Sequence, residues 1–125
     1  MAGYSTTPLE RKIGIRPGHA IVLLNAPPGW LIEATGTSAA TADIVIGFYR
    51  ERAALVKDAT RLPDVLPKSA MWWVAWPRKA AGHVSDINEN LLRELLLPTG
   101  LVDVKVAALD EDWSGLKFVW RKELR

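Results

Sequence analysis

The residues best suited to bind a ligand fall in three short segments of the sequence. SAMWWVAWPRKAAG (69–82) holds three of the six tryptophans and continues with Arg78 and Lys79. NAPPGW (25–30) and YRER (49–52) add a tryptophan, a tyrosine and two arginines. Aromatic rings beside cationic groups suit a flat or anionic ligand. The candidate ligand- or partner-binding residues are Asn25, Gly29, Trp30, Tyr49, Arg50, Arg52, Trp76, Arg78, Lys79 and His83.

No group of residues predicts a catalytic or metal site. His83 lies near Ser85 and Asp86, but residues this close along the chain do not build a catalytic triad by themselves. Two histidines and no cysteine provide neither a set of metal ligands nor a thiol nucleophile. The carboxylates at 110–112 could take part in acid–base chemistry, but DEDWSG is typical of a solvated hairpin turn. We therefore expect neither catalytic residues nor a metal ion.

The composition is that of one ordinary globular domain, residues 1–125. Hydrophobic residues make up 49% of the chain and charged residues 24%, which is typical of globular domains. The sequence has no run of 18 apolar residues and no signal-peptide pattern at its start, so we expect a cytoplasmic protein without membrane contact. The net charge of +2 supports nucleic-acid binding only weakly.

Five segments have the patterns of β-strands. The continuous apolar runs 20–25, 43–49 and 70–76 predict strands that are buried on both faces. The alternating runs 101–109 and 116–122 predict an antiparallel hairpin at the edge of the sheet. The residues expected to share one face of the first hairpin strand are Val102, Val104 and Val106.

Three helices are expected to flank these strands. The first begins at Thr7, which can cap it; the second spans 50–62, where apolar residues recur at helical spacing. The third begins at Asp86, with Glu89 completing a capping box. Strands separated by helices pair in parallel through right-handed crossovers. The sequence thus predicts an α/β fold with a mixed sheet of about five strands, three parallel plus a C-terminal antiparallel hairpin, flanked by helices.

The predicted sheet brings the candidate residues to one edge. Open α/β sheets bind ligands in the crevice beyond the carboxyl ends of their strands, and the three candidate segments each include the carboxyl end of a predicted parallel strand. Trp72 and Trp73 point to opposite faces of their strand and are expected to be core residues. For Trp76, at the end of that strand, packing and ligand contact are both open.

The last three-quarters of the chain resembles the carboxyl half of a Rossmann-type methyltransferase. ADIVIGFYRER is similar to the fourth strand of that fold, and LPKSAMWWVAWP is similar to the fifth strand. The closing hairpin matches as well. The resemblance implies a truncated, methyltransferase-like Rossmann domain.

The whole chain also resembles a family of small bacterial proteins of unknown function. The segments that carry this resemblance are AGYSTTPLERKIGIRPGH, WVAWPRK and LVDVKVAALDEDWSGLKFVWR. It implies a fold and a bacterial source but supplies no activity.

Two departures from the methyltransferase pattern lead us to expect no cofactor. A methyltransferase has a glycine-rich turn after its first strand, whereas NAPPGW has one glycine and two prolines, which remove backbone donors. The acidic residue that would hold the ribose should end a second strand, and Glu33 comes too early for that role. The cofactor half looks missing, so S-adenosylmethionine is not expected to bind.

These observations favour a non-enzymatic binding or regulatory domain. Its ligand would be a small anion, a nucleotide or a protein partner at the carboxyl edge of the strands. The alternative is a divergent S-adenosylmethionine-dependent methyltransferase, and a third possibility is a weak nucleic-acid binder. The exposed edge of the terminal hairpin also makes a homodimer possible.

Overall fold

The computed structural model describes residues 8–125. It contains three α-helices and five β-strands within this range. The helices are α1 (Leu9–Ile13), α2 (Arg52–Arg61) and α3 (Glu89–Leu96). The strands are β1 (Ile21–Leu24), β2 (Ile44–Phe48), β3 (Met71–Pro77), β4 (Leu101–Ala108) and β5 (Trp113–Trp120).

The strands form one mixed sheet in the order β1-β2-β3-β5-β4. β1, β2 and β3 are parallel, whereas β5 runs antiparallel to both β3 and β4. This arrangement confirms the predicted α/β fold with three parallel strands and a terminal hairpin. Because β5 runs antiparallel to β3, the turn that precedes β5 lies beside the carboxyl end of β3.

Hydrophobic clusters cover both faces of the sheet, and β3 contributes to each. Trp72 packs on the face of α2 and α3, and Trp73 packs on the opposite face beside α1. Both indoles are fully buried, as the alternation of side chains along a strand requires. The indole nitrogen of Trp73 donates a hydrogen bond to the Ile13 carbonyl (2.9 Å), which ties α1 to the sheet.

The connection from β1 to β2 is irregular, apart from a short 3₁₀ turn at Ala39–Thr41. It is tied to the outer edge of β1, because the backbone N–H groups of Thr35 and Gly36 both donate to the Ile21 carbonyl. The carboxylate of Asp43 accepts from the Ala20 N–H at 2.7 Å. The chain therefore passes from β1 directly to its parallel neighbour, and no further strand lies outside β1 among the described residues.

The cap of α3 differs from the predicted one. α3 begins at Glu89, and its cap is Asn88, whose side chain accepts from the Leu91 N–H at 2.9 Å. The predicted cap, Asp86, instead accepts from the Arg52 N–H at the start of α2 (2.9 Å). The capping-box spacing of Asp86 and Glu89 predicted the wrong cap, because the hydrogen-bond partner of Asp86 is 34 residues away. The predicted cap at Thr7 lies outside the described residues.

The hairpin also differs from its prediction. β5 begins at Trp113, three residues before the predicted start. A bulge between Asp103 and Lys105 changes the register of β4, so the expected single face of three valines does not form. Val104 and Val106 are each 54% exposed.

None of the three α-helices in residues 8–125 could span a membrane.

Candidate functional site

A cleft opens at the carboxyl ends of β1 and β2. We call it the rim cleft. Its two adjoining parts have volumes of about 470 and 530 Å³ and share Pro27, Pro28, Arg50 and Trp113 in their walls. Each part falls within the range of about 300 to 1,000 Å³ that is usual for small-molecule sites.

Three aromatic rings form one wall of the rim cleft. Phe48, the last residue of β2, lies between Trp30 and Trp113. Its ring contacts both tryptophans edge to face, with centroid distances of 4.8 and 5.0 Å. The indole nitrogen of Trp30 donates to the Asp110 carboxylate at 2.9 Å. Packing and this hydrogen bond therefore fix the orientation of the aromatic wall before any ligand arrives.

Arg50 supplies the cation of the rim cleft. Its side chain borders both parts of the cleft, and its guanidinium carbon lies 4.9 Å from the ring centroid of Trp113. Stacking of this kind leaves the edge of the guanidinium available for hydrogen bonds. Within residues 8–125, Arg50 forms no ion pair with a carboxylate. It is therefore free to bind an anionic group of a ligand.

In the acidic turn 110–112, Glu111 and Asp112 are exposed, as predicted for a solvated turn, and the turn also lines the rim cleft. The Asp110 carboxylate accepts from the backbone N–H groups of Asp112 (2.7 Å) and Trp113 (2.8 Å). Arg78 donates from Nη1 to the carbonyls of Asp110 and Glu111, at 3.2 and 3.3 Å. These bonds fix the turn against the end of β3 and place three carboxylates along the cleft.

Sequence reasoning missed the contribution of this turn and of Trp113. The predicted topology could have shown that this turn lies beside the cleft. A strand that pairs antiparallel with β3 must begin where β3 ends, so the turn before it reaches the same edge. The predicted start of β5 at residue 116 left Trp113 in the turn and hid this relation.

His83 stands between the rim cleft and a second cavity. Its Nε2 lies 2.9 Å from the Asp112 carboxylate. The second cavity, which we call the Trp76 hollow, has a volume of about 230 Å³. It is lined by Trp76, Pro77, Lys79, His83, Val84, Ser85, Ile87 and Asn88.

The structure divides the predicted site residues into groups. Those that line the rim cleft are Asn25, Gly29, Trp30, Arg50 and His83. Trp76 and Lys79 line the Trp76 hollow, which His83 shares. Arg78 donates hydrogen bonds to two carbonyls of the acidic turn. Arg52 is exposed in the first turn of α2 and borders none of the described cavities.

Tyr49 does not lie on the rim, contrary to the prediction. It is buried, with 1% exposure, and its hydroxyl donates to the Asp58 carboxylate of α2 at 2.7 Å. Arg61 donates to the same carboxylate at 2.9 Å. Burial, followed by the hydrogen bond to Asp58, raises the pKa of Tyr49 above its ordinary value. Tyr49 therefore anchors α2 to the sheet.

A glycine makes this position of Tyr49 possible. The tyrosine ring folds back along β2 over Gly47, and a Cβ atom at Gly47 would lie 2.5 Å from the Tyr49 hydroxyl oxygen. Only glycine leaves room for the ring. The sequence pattern YRER after a strand gave no sign that the tyrosine turns inward while Arg50 remains exposed.

Within residues 8–125 there is no group of three or more residues that could hold a metal ion. The chemistry offered by the rim cleft is therefore that of aromatic contact, one cation and several carboxylates. Such a set can bind a flat ring that also carries both charged and hydroxyl groups.

Comparison with solved structures identifies the fold. LepI in complex with S-adenosylmethionine has a TM-score of 0.53 and 12% identity, over 90% of this chain and 39% of LepI. A LepI variant in complex with S-adenosylhomocysteine and a substrate analogue has a TM-score of 0.52 and the same identity and coverage. The ribosomal protein L11 methylase of Lactobacillus delbrueckii subsp. bulgaricus has a TM-score of 0.45 and 10% identity, over 62% of this chain and 36% of the methylase.

The two LepI structures confirm the distant resemblance expected from the sequence at the level of the fold alone. The chain spans less than two-fifths of the length of each of the three proteins. No protein-family model matches the sequence, and no curated protein matches it. The resemblance to the small bacterial family stays a prediction.

The expectation that the chain has no cofactor is corrected by this comparison. The similar LepI structures hold S-adenosylmethionine and S-adenosylhomocysteine, and the likeness extends over 90% of this chain. The expectation rested on NAPPGW and on the position of Glu33. Those departures were judged from backbone motifs alone, whereas the side chains of the rim cleft come from β2, β5 and the connecting turns.

Proposed function

We propose that this chain is a methyltransferase-like binding domain that holds S-adenosylmethionine, or a nucleoside of the same type, in the rim cleft. The observation that carries the proposal is the composition of that cleft. It combines an aromatic wall, a free arginine and carboxylates at the edge where open α/β sheets bind ligands.

The side chains of the rim cleft suit the parts of such a ligand. Trp30, the partly exposed ring of the aromatic wall, offers apolar surface for the adenine ring. Arg50 can pair with the carboxylate of the amino-acid end. Glu111 and Glu51, both exposed and in the cleft walls, can accept hydrogen bonds from ribose hydroxyls or from the amino group.

The turn 25–30 leaves room for a ligand to approach. Gly29 has a φ of +66°, and apart from its two chain neighbours no residue has an atom within 4 Å of the position that a Cβ would take. The two neighbouring prolines have no N–H to donate. The proposed binding therefore depends on side chains more than on backbone amides, in keeping with the absence of a glycine-rich turn.

Calorimetric titration with S-adenosylhomocysteine tests the proposal. In urea denaturation, ligand at about a hundred times the dissociation constant should add about 2.7 kcal/mol to the free energy of unfolding. Arg50→Met should weaken binding by about tenfold or more, because a charge-assisted hydrogen bond is lost. Arg52→Met is the matched control and should bind normally, since Arg52 borders none of the described cavities. Absence of binding by the unmodified chain would refute the proposal.

Methyl transfer is a second candidate function, and one observation favours it. His83, paired with Asp112 at 2.9 Å, stands between the rim cleft and the Trp76 hollow. A histidine oriented by a carboxylate can accept a proton from an acceptor hydroxyl. Incubation with methyl-labelled S-adenosylmethionine and a library of small hydroxylated acceptors tests it. Label transfer that His83→Gln abolishes would support it, whereas binding without transfer would leave a regulatory domain.

A further inference from the structure

The Trp76 hollow is a separate, smaller cavity on the α3 side of the sheet edge. Its floor is apolar, formed by the nearly buried Trp76 (9% exposed), Pro77 and Ile87. Its volume of about 230 Å³ is below the usual range for drug-sized ligands, about 300 to 1,000 Å³. The cavity therefore suits a small ligand with one flat or apolar part.

The polar lining of the Trp76 hollow contains one lysine, Lys79, and no carboxylate. Lys79 and His83 line it, and none of its lining residues is acidic. Lys79 forms no ion pair with any carboxylate of the described part of the chain. The N-terminus of α3 also begins at this cavity, at Asn88, and adds a partial positive charge.

The acidic residues close to the hollow in sequence contact groups outside it or on its border with the rim cleft. Asp86 accepts from the Arg52 N–H at 2.9 Å, and Glu89 pairs with Arg93 at 3.1 Å. Asp112 contacts His83 from the side of the rim cleft. Each of these carboxylates therefore has a partner outside the hollow or on its border with the rim cleft, and Lys79 is the lysine among the residues that line the hollow.

The loop around the hollow is held in place without a ligand. The Ser85 hydroxyl accepts from the Ile87 N–H at 3.2 Å and donates to the Arg50 carbonyl at 3.4 Å. Gly82, with a φ of +86°, closes the preceding turn. A cavity that is already formed costs little ordering entropy on binding.

We propose that the Trp76 hollow binds a small aromatic carboxylate, with its ring against Trp76 and its carboxylate toward Lys79. This inference goes beyond the function proposed for the rim cleft. It does not depend on that function, because the rim cleft and the Trp76 hollow have only His83 in common. The chemical reason is the match between an apolar floor and a mouth that carries donors and a free cation.

The experiment is a titration of the full chain with sodium benzoate, followed by the indole N–H signals in a ¹H–¹⁵N NMR spectrum. Benzoate should move the Trp76 signal, and benzyl alcohol, which has the same ring without the charge, should bind at least about fivefold more weakly. The signals of Trp30 and Trp113 report on S-adenosylhomocysteine in the same samples. Failure of one proposal is therefore distinguishable from failure of the other.

One variant and one matched control sharpen the test. Val84 lines the hollow and is 97% exposed, so Val84→Glu should fold normally while placing a negative charge at the mouth. It should weaken benzoate binding by about fivefold or more. Val65→Glu, at an exposed valine in the loop that leads to the amino end of β3, should leave binding unchanged.

Lys79→Met provides a second, independent variant. Lys79 is exposed, so its loss should lower benzoate affinity without unfolding the chain. An unmoved Trp76 signal would overturn the proposal, and so would equal affinity for benzoate in the unmodified chain, Val84→Glu and Lys79→Met.

Discussion

The buried pair of Tyr49 and Asp58 joins the end of β2 to α2. The Tyr49 hydroxyl donates to a carboxylate that Arg61 also contacts, and both partners of the pair are nearly inaccessible to water. A buried carboxylate that loses a donor retains the cost of its desolvation. The pair is therefore a local determinant of how firmly α2 packs.

We predict that Tyr49→Phe lowers the free energy of unfolding by about 1 to 3 kcal/mol, because Asp58 then lacks one donor. Urea denaturation measures the loss. Asp58→Asn and the double variant complete a mutant cycle, in which the two single losses should sum to more than the loss in the double variant. Strictly additive losses would show that the hydroxyl and the carboxylate are not energetically coupled.

The same tyrosine predicts a loss of stability at alkaline pH. Because the pKa of Tyr49 is raised in the folded state, the unfolded chain releases this proton first, at a pH of about 10. The folded state then binds more protons than the unfolded state, so stability falls as the pH rises above about 10. The stability advantage of the unmodified chain over Tyr49→Phe should therefore shrink as the pH is raised from about 9 to about 11, a range centred on the ordinary pKa of tyrosine. Urea denaturation of both chains at several pH values measures it, and a constant difference across this range would contradict the prediction.

At the scale of elements, β4 and β5 place two lysines directly opposite each other. Lys105 pairs in register with Lys117, on the sheet face that α1 covers. Burial, with the nearby Lys105 as the second cause, lowers the pKa of Lys117. Like charges opposite each other in a sheet are destabilising.

We predict that Lys117→Met stabilises the chain by about 0.5 kcal/mol, because it removes the repulsion and keeps the apolar stem. Chemical denaturation at neutral pH measures the change. Lys57→Met, at an exposed lysine of α2, serves as the control and should change little. A Lys117→Met variant that is less stable would mean that the ammonium makes a favourable contact with the end of α1.

At the scale of the whole molecule, the sheet ends in two outer strands of different character. β1 is tied to its connecting loop at Ile21, whereas β4 is an edge strand with two exposed valines. Exposed apolar edges promote pairing between chains, and a bulge of the kind seen in β4 opposes it. The homodimer that the sequence makes possible would use this edge.

We predict that any self-association of the chain is weakened by Val106→Lys, because a charge on an edge strand discourages pairing. Sedimentation velocity over a range of concentrations measures the association. Val56→Lys, at an exposed valine of α2, is the control. Equal association of both variants would remove the β4 edge as the interface.

The sequence by itself determined the elements and their order. Burial of both faces requires a continuous apolar run, which predicted β1, β2 and β3, and burial of one helix face requires apolar residues at helical spacing, which predicted α2 and α3. It also placed Trp30, Arg50 and Trp76 near one edge, since parallel strands end on the same side.

Only the tertiary structure decided how that edge is divided. The partners of Tyr49, Asp86 and Arg78 lie 9, 34 and 32 residues away, and side-chain contacts across such separations leave no periodic pattern in the sequence. In the folded chain Tyr49 is therefore buried, and Arg78 donates hydrogen bonds to the acidic turn. The rim cleft and the Trp76 hollow are separate cavities that share His83.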